Sequence, residues 1–161
     1  MKGYLYSKGS SRTVLREMIC NIRHTGLVVR DLEHSLKFYK DLLGFSEWKR
    51  AKEEGSFIEQ LVGIPGVSLE WAKLKLPDDS LIELLQYHSH PSQQLLENSP
   101  SNRLGCSHVA LTVDNLDQVY LKLCDNGFHC NSAPLLSPDN NAKVLYCHDP
   151  DGIILELVEE L

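Results

Sequence analysis

The feature that most constrains the fold of this chain is an internal repeat, in which the second half of the sequence follows the pattern of the first. A segment that begins at His24 reads HTGLVVRDLE, and a segment that begins at His108 reads HVALTVDNLD. A second match closes each half: PDDSLIEL contains Glu83, and PDGIILEL contains Glu156. A repeat of this kind indicates two copies of one supersecondary unit, each of which buries an apolar face against its neighbour.

Each half carries the same order of predicted elements, βαβββ. Short apolar and β-branched runs at residues 22–29 and 107–113 predict the opening strands. A helix with one apolar face follows each strand; it begins after Asp31 or Asn115 and ends at Gly44 or Gly127. Further strands are predicted at residues 67–76, 81–87, 143–147 and 153–158, with a short helix at 55–62 in the first half.

The repeat therefore predicts an α+β fold built from two βαβββ modules. The first module spans residues 21–90 and the second spans residues 103–161, and together they form one domain over 21–161. Residues 1–20 form an N-terminal arm, set apart by a net positive charge against an acidic remainder. A basic, acid-poor start of this kind is also compatible with an organellar transit segment, which we rank below a mobile arm or short packing helix.

Composition excludes several classes of function. The 161 residues carry a formal net charge of -6, and such a surface disfavours nucleic acid as a partner. No apolar run is long enough to cross a bilayer and no signal-peptide core is present, so we expect a cytoplasmic protein without a membrane partner. The five cysteines form no CxxC pair and are expected to be free thiols rather than a zinc knuckle.

Two His and two Glu occupy matching positions in the repeat and are the candidate metal ligands. His24 and His108 lie in the opening strands, whereas Glu83 and Glu156 interrupt apolar closing strands. A carboxylate set into an apolar strand needs a cation or several hydrogen-bond donors. A single His or Glu in a strand is more often a core or surface residue, but repetition of both types in both halves favours ligands. If the modules pack with two-fold symmetry, the four side chains converge on one divalent ion: Zn, Ni, Co, Fe or Mn.

These residues and several shorter motifs resemble the vicinal oxygen chelate superfamily, also called the glyoxalase/bleomycin-resistance/dioxygenase group. The motifs are the two opening His, the DLE…FY…LGF stretch that begins at Asp31, the DPDG turn that begins at Asp149, and the two closing Glu. The resemblance covers residues 22–159. It implies paired modules that form a cupped mixed sheet around a metal ion, which chelates vicinal oxygens of a small-molecule substrate.

Two branches of the superfamily are similar to this chain. The His-Glu-His-Glu set looks like that of metal-dependent isomerases, including lactoylglutathione lyase. Bacterial lactoylglutathione lyases usually have an Arg and an Asn that bind glutathione where this sequence has Val28 and Tyr87. Residues 55–67, together with the strands that follow, are similar to a branch that contains cyclitol epimerases, which act on sugar-like ketones.

The resemblance implies a metal-dependent glyoxalase-like isomerase or epimerase (lyase-type) that enolises a small hydroxy-ketone or sugar-like ketone. Glu156 is the first candidate for the catalytic base, and Glu83 is the second. Three alternatives stay open: lactoylglutathione lyase proper, an extradiol-type dioxygenase, and a non-catalytic small-molecule binding protein. A homodimer is also expected, because each module leaves sheet edges to be covered.

Overall fold

The computed structural model describes residues 19–93 and 100–161. The N-terminal arm predicted at residues 1–20 therefore lies almost entirely outside the described residues. Among the helices in the described ranges, none is long and apolar enough to span a membrane.

The first half forms one four-stranded mixed sheet with the strand order β1-β4-β3-β2. Strand β1 is parallel to β4, while β3 is antiparallel to both β4 and β2. The elements are β1 (Thr25–Val28), α1 (Leu32–Leu36, continued by a π-helix at Lys37–Leu42), β2 (Ser46–Glu54), α2 (Ser56–Val62), β3 (Ser68–Lys75) and β4 (Leu81–Tyr87).

The second half repeats this topology in a sheet with the strand order β5-β8-β7-β6. Its elements are β5 (Val109–Thr112), α3 (Leu116–Asp125), β6 (Leu135–Leu136), β7 (Ala142–His148) and β8 (Ile154–Glu160). Strand β5 is parallel to β8, as β1 is to β4. The predicted α+β class is confirmed, and the predicted helices and strands are present with slightly different ends.

The repeat extends to the way each helix begins. The side chains of Asp31 and Asn115 cap α1 and α3 by accepting a hydrogen bond from a backbone N–H in the first turn. The first backbone N–H of α1 donates to the side chain of Gln86, and that of α3 donates to Glu159. These two acceptors follow Glu83 and Glu156 by three positions, so each helix is anchored to the strand that carries a candidate ligand.

The helix-facing sides of the two sheets share one apolar core. On β4 and β8 the residues on either side of the candidate carboxylates, Leu84 and Leu155 among them, are fully buried in this core. The ring of Phe38 packs edge-on against Phe128 of the other half, with 4.6 Å between centroids. Phe38 is almost fully buried, and burial of such a ring contributes about 2–3 kcal/mol. Because side chains alternate along a strand, Glu83 and Glu156 lie on the opposite faces of their sheets, away from the shared core.

Buried and partly buried polar contacts also join the two halves. The hydroxyl of Tyr39 donates to Oδ2 of Asp149 at 3.0 Å. The backbone N–H groups of Asp151 and Ile153 donate to the other carboxylate oxygen of Asp149 at 2.9 and 2.8 Å. The guanidinium of Arg30 pairs with Asp151, with Nε and Oδ1 separated by 2.5 Å. The DPDG turn therefore serves as a polar link to the first half as well as a hairpin turn.

Asp149 should make the stability of the metal-free protein depend on pH. Burial raises the pKa of this carboxyl to about 6, against the lowering effect of its hydrogen-bond donors. The folded state thus binds the proton of Asp149 more tightly than the unfolded state. Protonation of Asp149 therefore stabilises the fold, and this contribution to the free energy of unfolding is lost as pH rises from about 4 to above 6. Relative to Asp149→Asn, the wild-type protein should lose about 2–3 kcal/mol between pH 4 and pH 7. Urea unfolding of both proteins across this range measures the difference, and parallel pH profiles would contradict it.

Candidate metal centre

The first candidate ligand pair is formed by His24 and Glu83. His24 immediately precedes β1, and Glu83 lies in the middle of β4, the strand that is hydrogen-bonded to β1. The distance between His24 Nε2 and Glu83 Oε2 is 3.0 Å, and the Glu83 side chain is only 13% exposed. The parallel pairing of these two strands therefore brings together residues that are far apart in sequence.

The second pair repeats this geometry with His108 and Glu156. The distance between His108 Nε2 and Glu156 Oε2 is 3.2 Å. The Ser107 hydroxyl lies 2.8 Å from His108 Nδ1 and holds the imidazole in orientation. Glu156 is more accessible than Glu83, with 25% of its side chain exposed. The two pairs are thus alike in their atoms but differ in burial.

The structure forms each pair but keeps the two pairs apart. Within residues 19–93 and 100–161, no group of three or more His, Cys, Asp or Glu side chains is placed to hold a metal ion. The reason lies in the packing of the halves. The helix-side faces of both sheets meet in the shared core, so the faces that carry the pairs point in different directions.

The donor atoms of each pair fit a small divalent cation. An imidazole nitrogen and a carboxylate oxygen about 3 Å apart are the ligand types that Zn, Ni, Co, Fe and Mn prefer. In addition, His24 Nδ1 is buried and makes no hydrogen bond to any described residue. This nitrogen points away from Nε2, so an ion bound between Nε2 and Glu83 would leave it unchanged.

Each candidate carboxylate has a cross-strand neighbour that the sequence analysis did not single out. Lys73 on β3 is paired in register with Glu83, and Tyr146 on β7 is paired with Glu156. The repeat thus places a lysine beside one carboxylate and a phenol beside the other. Counting back across the two hairpin turns from each Glu would have identified both neighbours, because hairpin register follows from turn length.

These neighbours make the two carboxylates electrostatically different. The ammonium of Lys73 lies 3.2 Å from Glu83 Oε1, so Glu83 contacts a lysine as well as an imidazole. Tyr146 instead places its hydroxyl 3.4 Å from His108 Nδ1. Burial, followed by the negative charge of Glu156, raises the pKa of Tyr146, which keeps the phenol protonated and able to donate a hydrogen bond.

Helix α2 closes one end of the outward face of the first sheet. Ile58 from this helix packs with Val67 and Leu69 in a small second core, against which Trp71 and Tyr87 also pack. The face that carries His24 and Glu83 is therefore bounded at one end by this apolar cluster. On strand β3, Trp71 lies between the cluster and Lys73.

Comparison with known proteins gives the family. A model of the Glyoxalase/Bleomycin resistance protein/Dioxygenase superfamily matches residues 21–157. The chain belongs to this superfamily. Members of the superfamily typically bind a divalent metal ion.

Three distant relatives match this chain along most of their own length. The chain is 25% identical to the uncharacterized protein YaeR of Escherichia coli, over 86% of this chain and 95% of that protein. It is 27% identical to a lactoylglutathione lyase of Shigella flexneri, over 85% of this chain and 90% of that enzyme. A solved glyoxalase family protein from Bacillus cereus superposes with a TM-score of 0.83 at 25% identity, covering 91% of this chain and 98% of that one.

Val28 and Tyr87 lie close together in the structure. From the resemblance to lactoylglutathione lyases, these are the positions where we expect the glutathione contacts to be missing. Both line one cleft, together with the guanidinium-bearing residues Arg30 and Arg103. The cleft is also lined by Asp151, which pairs with Arg30, so its charge is partly balanced.

Proposed function

We propose that the protein is a metal-dependent isomerase or epimerase that removes the proton beside the carbonyl of a small hydroxy-ketone. Its metal ligands would be His24, Glu83, His108 and Glu156. The observation that carries the proposal is the duplicated pair: an imidazole nitrogen lies 3.0 or 3.2 Å from a carboxylate oxygen at equivalent points of both halves. Repeated N and O donors of this type suit one divalent ion with coordination positions left for substrate.

The proposed site is completed by a second copy of the chain. The two pairs lie on outward faces of different sheets, so the pair from module 21–90 of one copy would meet the pair from module 103–161 of another. A two-fold axis makes this exchange reciprocal and yields two equivalent sites in a homodimer. Each site then holds two imidazoles and two carboxylates.

The proposed chemistry divides the work between the two carboxylates. A divalent ion, when bound, draws electron density from the carbonyl and the neighbouring hydroxyl of the substrate and so acidifies the C–H bond between them. Glu156, the more exposed carboxylate, accepts that proton and returns it to the adjacent carbon in an isomerisation. An epimerisation would need Glu83 to deliver a proton to the opposite face. Glu83, whose side chain is only 13% exposed, acts chiefly as a ligand. The Tyr146 hydroxyl lies near Nδ1 of His108, the nitrogen opposite the one that faces Glu156, and would help to orient this imidazole.

Mixing two inactive variants tests whether the site lies between chains. Variant A carries His24→Ala and Glu83→Gln, and variant B carries His108→Ala and Glu156→Gln. Co-expression with two affinity tags allows the A–B heterodimer to be purified. One of its two sites combines the intact pairs of both chains, so it should bind about one metal ion per dimer, whereas the A–A and B–B dimers bind none tightly.

The wild-type dimer is the reference in this experiment and should bind about two metal ions. A heterodimer that binds no metal, beside a wild-type protein that does, would place all four ligands of each site in a single chain. A wild-type protein that runs as a monomer in light scattering at tens of micromolar would also contradict the shared site.

Lactoylglutathione lyase is the second candidate function, because the Shigella flexneri relative carries that name. Against it, Val28 and Tyr87 cannot supply the guanidinium and amide expected to bind glutathione. Turnover of the glutathione hemithioacetal distinguishes the two activities, and oxygen uptake with a catechol distinguishes both from a dioxygenase. A cytoplasmic location stays a prediction.

A further inference from the structure

The outward face of the first sheet carries two lysines that face each other across neighbouring strands. Lys49 on β2 is paired in register with Lys73 on β3. Their ammonium groups lie 5.9 and 4.7 Å from the centroid of the Trp71 ring. We call Lys49, Trp71 and Lys73 the cationic patch. Like charges directly opposite each other in a sheet are unfavourable, so an anion bound between them would stabilise this arrangement.

The charges around the cationic patch are only partly balanced. Glu53 accepts a hydrogen bond from the Trp71 indole at 2.7 Å. Lys73 pairs with Glu83 at 3.2 Å, and within the described residues no carboxylate lies within ion-pair distance of Lys49. Lys73 therefore connects the patch directly to a proposed metal ligand.

Metal binding would remove the partner that Lys73 has in this structure. The formal charge of the metal site is zero when it holds two neutral imidazoles, two carboxylates and a divalent cation. With Lys73 included, the net charge is about +1. Its flexible four-carbon stem allows the ammonium to turn away from the cation while it stays over the indole ring. In that position it can bind an anion about 2.8 Å away.

We propose, on the basis of the proposed function, that Lys73 binds an anionic group of the substrate and that the enzyme selects hydroxy-ketones carrying a phosphate or a carboxylate. Because Lys73 lies next to Glu83, the anion must be attached within a few bonds of the two chelating oxygens. Lys49 adds positive charge on the side of the patch farther from the metal. A neutral sugar-like ketone lacks the group that this patch recognises.

A hydroxamate that mimics the two vicinal oxygens, prepared with and without an anion, tests the selectivity. The probes are glycolohydroxamate, its phosphate ester and its carboxymethyl ether, and calorimetry on the zinc-loaded dimer measures their dissociation constants. The wild-type protein should bind at least one charged derivative about ten-fold or more tightly than the neutral parent. Lys73→Met should lose this preference and bind the neutral parent as before, whereas Lys73→Arg should keep most of it.

Lys75→Met is the matched control, because Lys75 lies two residues along the same strand and face but pairs with Asp79, 2.5 Å away. This variant should retain the preference of the wild-type protein. Equal binding of neutral and charged hydroxamates by the wild-type protein would overturn the inference, as would a preference that survives Lys73→Met. If none of the three hydroxamates binds the zinc-loaded protein, the proposed function fails and the inference fails with it.

Metal affinity provides a second test of the role of Lys73, and this test needs no substrate analogue. Since Lys73 competes with the metal ion for Glu83, Lys73→Met should bind Zn²⁺ about ten-fold more tightly than the wild-type protein in competition with a chromophoric chelator. Lys75→Met should leave the affinity unchanged. An unchanged or weaker affinity in Lys73→Met would mean that Lys73 does not compete with the metal ion for Glu83, and it would overturn the step in which metal binding frees Lys73 for the substrate.

Discussion

Replacing Glu156 with Gln is expected to lower the rate of substrate proton exchange by about 10² to 10⁴, the usual contribution of a positioned general base. The amide keeps an oxygen that can bind a metal ion, but it cannot accept a proton at neutral pH. Metal content should therefore stay close to that of the wild-type protein while exchange is lost. Deuterium incorporation beside the carbonyl in D₂O, followed by mass spectrometry or NMR, measures the rate, and elemental analysis measures the metal.

Glu83→Gln is the matched control for this prediction, because it makes the same change at the equivalent position of the other half. If Glu83 is chiefly a ligand, this variant should lose less exchange activity than Glu156→Gln and more of its metal affinity. Equal losses in the two variants would mean that the carboxylates share the proton transfer, one on each face of the substrate. Full exchange activity in Glu156→Gln would refute the assignment of the base.

Replacing His108 with Ala is expected to abolish tight metal binding and to remove the stabilisation that the metal provides. The variant loses one of two imidazole ligands, and Glu156 loses its only imidazole contact, at 3.2 Å, among the described residues. A metal present at 100 times its dissociation constant stabilises a folded protein by about 2.7 kcal/mol. The wild-type protein should therefore show a clear thermal shift when Zn²⁺ or Ni²⁺ is added, and His108→Ala should show almost none.

His34→Ala is the control for this experiment, because His34 is exposed in the first half and belongs to neither ligand pair. It should keep both the metal and the thermal shift of the wild-type protein. A wild-type protein that contains no metal and shows no shift with Zn, Ni, Co or Mn would contradict the metal site as a whole. A normal shift in His108→Ala would remove His108 from the ligand set and leave the other three residues untested by this experiment alone.

Most of the fold could be predicted from the sequence, because the repeat imposes the same pattern on both halves. The caps at Asp31 and Asn115, the apolar helix faces and the alternating closing strands depend on local periodicity, which is visible in the sequence. Strand β2 could not be located in this way. Its sequence, SEWKRAKEE, is dominated by charged residues, and it becomes a strand because the backbone of β3 offers it hydrogen bonds.

The site could be predicted only in part. The repeat identified His24, Glu83, His108 and Glu156 as equivalent residues, and strand pairing then brings each His to its Glu. Sequence symmetry suggested convergence of all four on one axis, but it contains no information on which faces of the modules pack together. That choice depends on the burial of side chains from both halves, and in this chain the helix-side faces form the common core.

The neighbours of the two carboxylates were likewise decided by tertiary structure. Lys73 and Tyr146 are ordinary strand residues in the sequence, and only the hairpin register brings each one beside a Glu. Residues that repeat in sequence can be recognised without a structure, because selection for the same backbone leaves the same pattern twice. Other residues differ between the repeats and make one carboxylate unlike the other. Their role depends on contacts across strands, which local sequence patterns do not reveal.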